Sequence, residues 1–98
     1  AFDRESEART RTLSWTVEFT TRARKDLKRL DKQNQAKIVA AIELFAETGR
    51  GDVILMQSIK PLQWRLREGD WRVRLRKHSS IELLEILHIR HRSQAYDR

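Results

Sequence analysis

The sequence predicts a small α+β domain in the order β-α-α-β-β-β: a twisted, mainly antiparallel sheet with a helical hairpin packed on one face. Three observations carry this. The stretch WRLREGDWRVRLRK, Trp64 to Lys77, alternates apolar and basic residues on both sides of Gly69-Asp70, as the two strands of a β-hairpin do. Between about residues 21 and 46 the apolar residues instead recur at spacings of three and four, the period of a helix. Finally IELLEILHI, Ile81 to Ile89, is nearly continuously apolar, which reads as a strand covered on both faces.

Taken in order, AFDRESEARTRT is polar, charged and aperiodic, so residues 1–12 are expected to form a flexible N-terminal arm ahead of a single domain spanning 13–98. LSWTVEFT alternates Trp15, Val17 and Phe19 against polar neighbours and is the first strand. Thr20 or Thr21 N-caps a helix whose inner stripe is Ala23, Leu27 and Leu30. After a break near Asp31, a second helix over about Lys32 to Thr48 buries Ile38, Ala41, Ile42 and Phe45, and Gly49 and Gly51 end it. The segment Asp52 to Pro61 is left open between a loop and a short strand, since Pro61 argues against an uninterrupted central strand.

A two-residue loop at Gly69-Asp70 dictates the hairpin register. Counting outwards, Glu68 faces Trp71, Arg67 faces Arg72, Leu66 faces Val73, Arg65 faces Arg74, Trp64 faces Leu75 and Gln63 faces Arg76. One side is then core, with Trp64, Leu66, Trp71, Val73 and Leu75. The other carries Arg65, Arg67, Arg72, Arg74 and Arg76, arginine opposite arginine. Like charges across a strand pair destabilise by roughly 0.2–1 kcal/mol each. A solvated anti-aggregation face is the bland explanation, but lysines mixed with glutamates would serve that purpose without self-repulsion. An anion is therefore expected on this face.

The charge balance agrees: 21 Lys+Arg against 14 Asp+Glu give a formal +7 and a pI of about 10.6, which favours a polyanionic partner. The excess is spread over both halves of the chain, so it is the alternation that locates the site. Cysteine is absent, which removes disulfides and thiolate metal sites and suits a reducing cytoplasm. Three scattered histidines lack the spacing of a metal-ligand set. No apolar run approaches the ~20 residues of a membrane span, so a soluble intracellular protein is the expectation.

The last strand exits into RHRSQAYDR. Arg90, His91, Arg92 and Tyr96 are expected to fold over the arginine ladder, giving several guanidiniums, a phenol and an imidazole in one concave site. Guanidinium is permanently charged, binds phosphate through two nitrogens and stacks on bases. Such a site suits RNA or DNA, and equally the stabilisation of a phosphorus that gains negative charge when a ribose 2′-hydroxyl attacks it. Tyr96 and His91 are the candidates for proton transfer. His78 reads as an exposed turn residue, while His88, ending the apolar strand, divides between a core and a functional role. Trp15, Trp64 and Trp71 read as core.

From Trp15 to Tyr96 the chain resembles the RelE/ParE superfamily of bacterial toxin-antitoxin systems. The likeness rests on the opening WTVEF, on LKRL in the helical hairpin, on WRLREGDWRVRL, and on ILHIRHRSQAYDR with its His-Arg and a tyrosine four residues beyond. It implies a ribosome-dependent endoribonuclease that cleaves messenger RNA in the ribosomal A site without a metal or other cofactor. On that likeness Arg65, Arg72, Arg90 and Tyr96 form the catalytic set, to which the reading of the residues adds His91 for proton transfer; Lys60, Gln63, Arg67, Arg74, Arg76 and Arg92, on or beside the ladder, are expected to contact RNA. Arg72 and Arg90 would stabilise the transition-state phosphate, and Tyr96 would orient the nucleotide. One departure stands out: Gln63 occupies a position where a related branch has a lysine proposed for proton transfer. The likeness also implies a cognate antitoxin that covers the basic groove. ParE-like members share the fold but poison DNA gyrase, and a non-catalytic RNA-binding module is a third reading.

Overall fold

The structure, a computed structural model, describes residues 14–94 of the chain. The N-terminal arm expected over residues 1–12 and the catalytic candidate Tyr96 lie outside the described residues. Strand β1 (Thr16–Phe19) leads into helices α1 (Thr21–Lys28) and α2 (Lys32–Thr48); β2 (Asp52–Met56), β3 (Gln63–Glu68), β4 (Trp71–His78), a short 3-10 turn and β5 (Leu83–His91) follow. The five strands form one mixed sheet in the order β1-β5-β4-β3-β2, with β1 parallel to β5 and every other pair antiparallel. The segment after Gly51 is thus resolved as a short edge strand, β2, followed by a loop through Pro61. The α+β class and the mainly antiparallel sheet with its helical hairpin are as the sequence predicts.

Local chemistry sets the helix ends. Thr20 N-caps α1, its hydroxyl accepting from the Ala23 amide at 3.0 Å. Asp31 N-caps α2 through the Asn34 amide at 2.8 Å. Gly49 closes α2 at a φ of 76°, the left-handed conformation that a side chain would penalise. The stripes predicted for the helices face the sheet: Ala23, Ile38, Ile42, Phe45 and Ala46 bury against Leu66, Val73, Leu75, Leu84, Ile86 and Ile89, and Trp15, Trp64 and Trp71 pack at the margins. The hairpin adopts the predicted register in five of the six pairs, from Glu68–Trp71 out to Trp64–Leu75, the ladder ending before Gln63–Arg76, with Gly69 at a φ of 57° in the turn.

Strand β5 departs from expectation. It is not covered on both faces. Leu75 pairs with Ile86 but Arg74 pairs with His88, so Leu87 is an extra residue, a β-bulge. Before the bulge Leu84 and Ile86 point to the helices; after it Ile89 does, while His88 and Arg90 turn to the opposite face beside Arg74 and Arg72. The long apolar run therefore reflects a change of phase, not two buried faces.

Helix α1 sits on this bulge and satisfies it. The Thr20 amide donates to the Ile86 carbonyl at 3.0 Å, the Thr20 hydroxyl donates to the Leu87 carbonyl at 2.9 Å, and the Asp26 carboxylate accepts from the Ile89 amide at 2.9 Å. One side chain thus caps a helix and pins a bulge. Thr20→Val, which keeps the shape but removes both hydroxyl bonds, is expected to lower stability by about 2 kcal/mol in urea unfolding, while Thr20→Ser retains most of it.

Candidate anion-binding face

The sheet face away from the helices is built by strand parity. From β3 it receives Gln63, Arg65 and Arg67; from β4, Arg72, Arg74 and Arg76; from β5, Glu85, His88 and Arg90. Arg65 is across from Arg74, Arg74 across from His88, and Arg72 across from Arg90. At their centre is a dimple of about 10 Å³ lined by Arg65, Arg72, Arg74, His88 and Arg90.

The guanidiniums are held differently. Arg72 Nη1 donates to the Gly69 carbonyl at 2.8 Å and to the Trp71 carbonyl at 3.0 Å, which anchors it at the turn. Arg74 Nη1 donates to the Gln63 side-chain carbonyl at 3.0 Å. Gln63 is thus a neutral acceptor for Arg74, and a lysine there would add a further cation to the ladder. Arg74 Nε is buried and has no partner among the described residues. Burial, then Arg90 and Arg65, pull the Arg74 pKa below its ordinary value. An arginine under that pressure still keeps its charge.

Around the cluster, arginines meet carboxylates. Arg67 Nε lies 2.6 Å from Asp52, Arg76 is 3.9 Å from Glu85, which His78 also meets at 2.9 Å, and Arg92 is 3.9 Å from Asp70. The positively charged field is therefore concentrated on Arg65, Arg72, Arg74 and Arg90.

The remaining candidates fall elsewhere. Lys60 is exposed in the loop before β3. His91 pairs with Trp71, so it takes the helix-side parity; its ring meets Trp71 edge-on at 5.2 Å, and its Nδ1 is 3.0 Å from the Ser93 hydroxyl. The bulge explains this, because it places Arg90 on the arginine face and sends the next residue to the other. The described tail does not cross the ladder. The Arg92 amide donates to the Asp70 carbonyl at 2.7 Å, and Ser93 and Gln94 line a cleft of about 710 Å³ with Arg22, Arg29, Trp71 and Arg90.

His88 is the member of this face that the sequence reading left undecided. Its phase could have been read from the apolar spacing, since Leu84 and Ile86 are followed by Ile89 and not by an apolar residue at 88. Burial first, then Arg90, Arg74 and Arg22, push its pKa down to about 4 from the usual 6.5, with Asp26 pulling the other way.

Comparison with known proteins agrees with this architecture. Residues 17–96 match the family described as ParE toxin of type II toxin-antitoxin system, parDE. The chain belongs to the RelE/ParE toxin superfamily. Among solved structures, the toxin resembles the archaeal RelE-RelB complex from Pyrococcus horikoshii OT3, at 20% identity and a TM-score of 0.70, covering 83% of this chain and 98% of that one. It also resembles the Mycobacterium tuberculosis toxin-antitoxin complex RelBE2, at 26% identity and 0.70, covering 81% and 99%. A free double arginine-to-alanine mutant of the E. coli toxin RelE matches at 13% identity and 0.66, covering 86% and 88%. No curated protein sequence matches the chain. The protein is therefore a toxin of the type II class with a RelE-like fold. Among the described residues no helix is long and apolar enough to cross a membrane.

The depressed His88 pKa makes a stability prediction. Between about pH 6.5 and 4 the unfolded toxin binds a proton that the folded toxin refuses, so stability falls as pH falls through that window. Allowing for the ring's partial exposure, the loss is about 1–2 kcal/mol. Urea unfolding at pH 7.5 and pH 4.5 should show this extra acid sensitivity in the wild-type toxin and not in His88→Gln.

Proposed function

We propose that the toxin is a metal-independent endoribonuclease that inhibits translation by cutting messenger RNA in the ribosomal A site in the cytoplasm. The observation that supports this most is the convergence of Arg65, Arg72, Arg74 and Arg90 on one sheet face, where among the described residues they meet none of the carboxylates that pair with the arginines around them. A folding role does not account for four guanidiniums at adjacent register positions.

In the reaction proposed, the ribose 2′-hydroxyl gives up its proton to water as it attacks the adjacent phosphorus, the bond to the 5′-oxygen breaks and that oxygen takes up a proton from water, leaving a 2′,3′-cyclic phosphate and a 5′-hydroxyl; in between, the non-bridging oxygens carry an additional negative charge. Arg72 and Arg90, cross-strand partners, are suited to clamp the two non-bridging oxygens, and Arg65 and Arg74 extend the positive field to the flanking phosphate. We assign Tyr96 to orienting the nucleotide. Arg67, Arg76 and Arg92 meet carboxylates, so contact with RNA at these positions exchanges one anion for another and adds less affinity. Lys60 is placed to meet the strand further along. Because a permanently exposed face of this kind would damage its own cell, we further propose a cognate antitoxin that covers it with an acidic or amphipathic segment; three structural neighbours of the toxin are RelE-RelB toxin-antitoxin complexes.

A second reading, a DNA gyrase poison, is favoured by the family description, which names ParE. The arginine cluster separates the two. Primer extension on a translated messenger after brief induction should reveal new cuts at fixed positions within codons, and Arg72→Ala or Arg90→Ala should reduce them by about 100-fold. Growth arrest with intact messenger and broken DNA, unchanged by these substitutions, would select the gyrase reading.

A further inference from the structure

We propose that the arginine face is a proton-linked anion site, in which His88 takes up a proton from solvent as a tetrahedral oxyanion settles among Arg65, Arg72, Arg74 and Arg90. The inference concerns binding and does not rest on RNA cleavage; it holds for a phosphate of any polymer and for a free oxyanion alike.

The geometry begins with the bulge. Were Leu87 paired regularly with Arg74, the imidazole would lie under the helices; with Leu87 bulged out, His88 stands directly across from Arg74 and lines the central dimple with all four arginines. The dimple, at about 10 Å³, is near the size of one water-sized sphere. It admits a single oxygen atom, and the remainder of a phosphate or sulfate group must lie over it. Two buried polar atoms of its lining, Arg74 Nε and His88 Nδ1, have no hydrogen-bond partner among the described residues. Buried polar groups left in that state call for a partner.

Electrostatics supplies the linkage. His88 is faced by Arg65 from β3, Arg72 and Arg74 from β4, Arg90 from its own strand, and Arg22 from α1; among the described residues Asp26 on α1 pulls the other way, and Glu85, further along the same face of β5, is taken by Arg76 and His78. In this surrounding a proton on the imidazole adds one more cation to a cluster of cations, and the ring stays neutral. A bound dianion offsets much of that positive field. Protonation then becomes favourable, and the imidazolium adds a charged donor to the anion's own shell. By linkage, the same coupling makes the anion bind more tightly in acid. An RNA phosphodiester carries a single negative charge, so there the coupling is smaller, and it reaches the full extent argued for a dianion only as the phosphorus takes on its second negative charge.

Sulfate is the probe, because its charge is constant between pH 4 and 8. The ring resonances of the three histidines, assigned by through-bond correlations in the isotope-labelled wild-type toxin, would be followed by NMR in the full chain from pH 3.5 to 8, in chloride and in saturating sulfate at equal ionic strength. The His88 midpoint is expected to rise by about two pH units in sulfate, and sulfate to bind about tenfold more tightly at pH 5 than at pH 8. In folded His88→Gln the affinity should lose this pH dependence. Saturable sulfate binding with an unmoved His88 midpoint overturns the proposal, and so does the absence of sulfate binding. Both readings come from the wild-type toxin, so they survive a variant that does not fold, and neither involves the cleavage assay.

Discussion

The bulge at Leu87 is the constraint on which the rest of this molecule depends. A strand of alternating parity assigns every second side chain to the core and the others to solvent, and one extra residue exchanges the two sets beyond it. Here the exchange keeps Ile89 under the helices while delivering His88 and Arg90 to the arginine face. The carbonyl freed by the bulge and the amide just past it are taken by Thr20 and Asp26. Helix α1 therefore does more than cover the sheet. Its first two turns hold the distortion that assembles the site, and they do so at the point where β1 has ended and β5 would otherwise present an unpaired edge.

The face assembled this way works against the fold. Arg74 and His88 are both pushed toward their neutral forms by burial and by neighbouring cations, a sign that the unliganded cluster is under electrostatic strain. Gln63 relieves part of it as a neutral acceptor for Arg74, and the Gly69 and Trp71 carbonyls do the same for Arg72. The core offsets the remainder, since the residues on the reverse side of these strands, Leu66, Val73, Leu75 and Ile89, are almost wholly buried. Stability and binding thus divide between the two sides of a single sheet. An anion relieves strain that the core otherwise has to carry.

Much of this was legible in the sequence, and the misses share one cause. The register of the β3–β4 hairpin followed from the Gly69-Asp70 turn because parity propagates outwards from a loop of known length. Caps at Thr20 and Gly49 were readable because their chemistry is local, while Asp31 was read only as the break between the helices and not as the cap it is. Strand β2 stayed undecided because its side chains do not alternate cleanly and Pro61 is close by. Strand β5 was read as buried on both faces, and His91 was placed with the arginines, because a continuous apolar run conceals where its phase changes. The shift from Ile86 to Ile89 was the only local trace of it. The partners that stabilise it, Thr20 and Asp26, lie more than sixty residues earlier, and no window of sequence around β5 contains them.

Parity also explains why shared fold and shared activity separate in this superfamily. The inward residues need only be apolar and of suitable volume to rebuild the same sheet and helical hairpin, so a toxin with very different outward residues folds alike. What the toxin binds is set by the outward positions of β3, β4 and β5, which the core does not constrain. In this chain those positions carry arginines at Arg65, Arg72, Arg74 and Arg90, kept apart from the carboxylates of Asp52, Glu85 and Asp70. An arrangement that resists folding, and that a change to neutral residues would relieve at no cost to the core, is accounted for by the phosphate binding proposed for it.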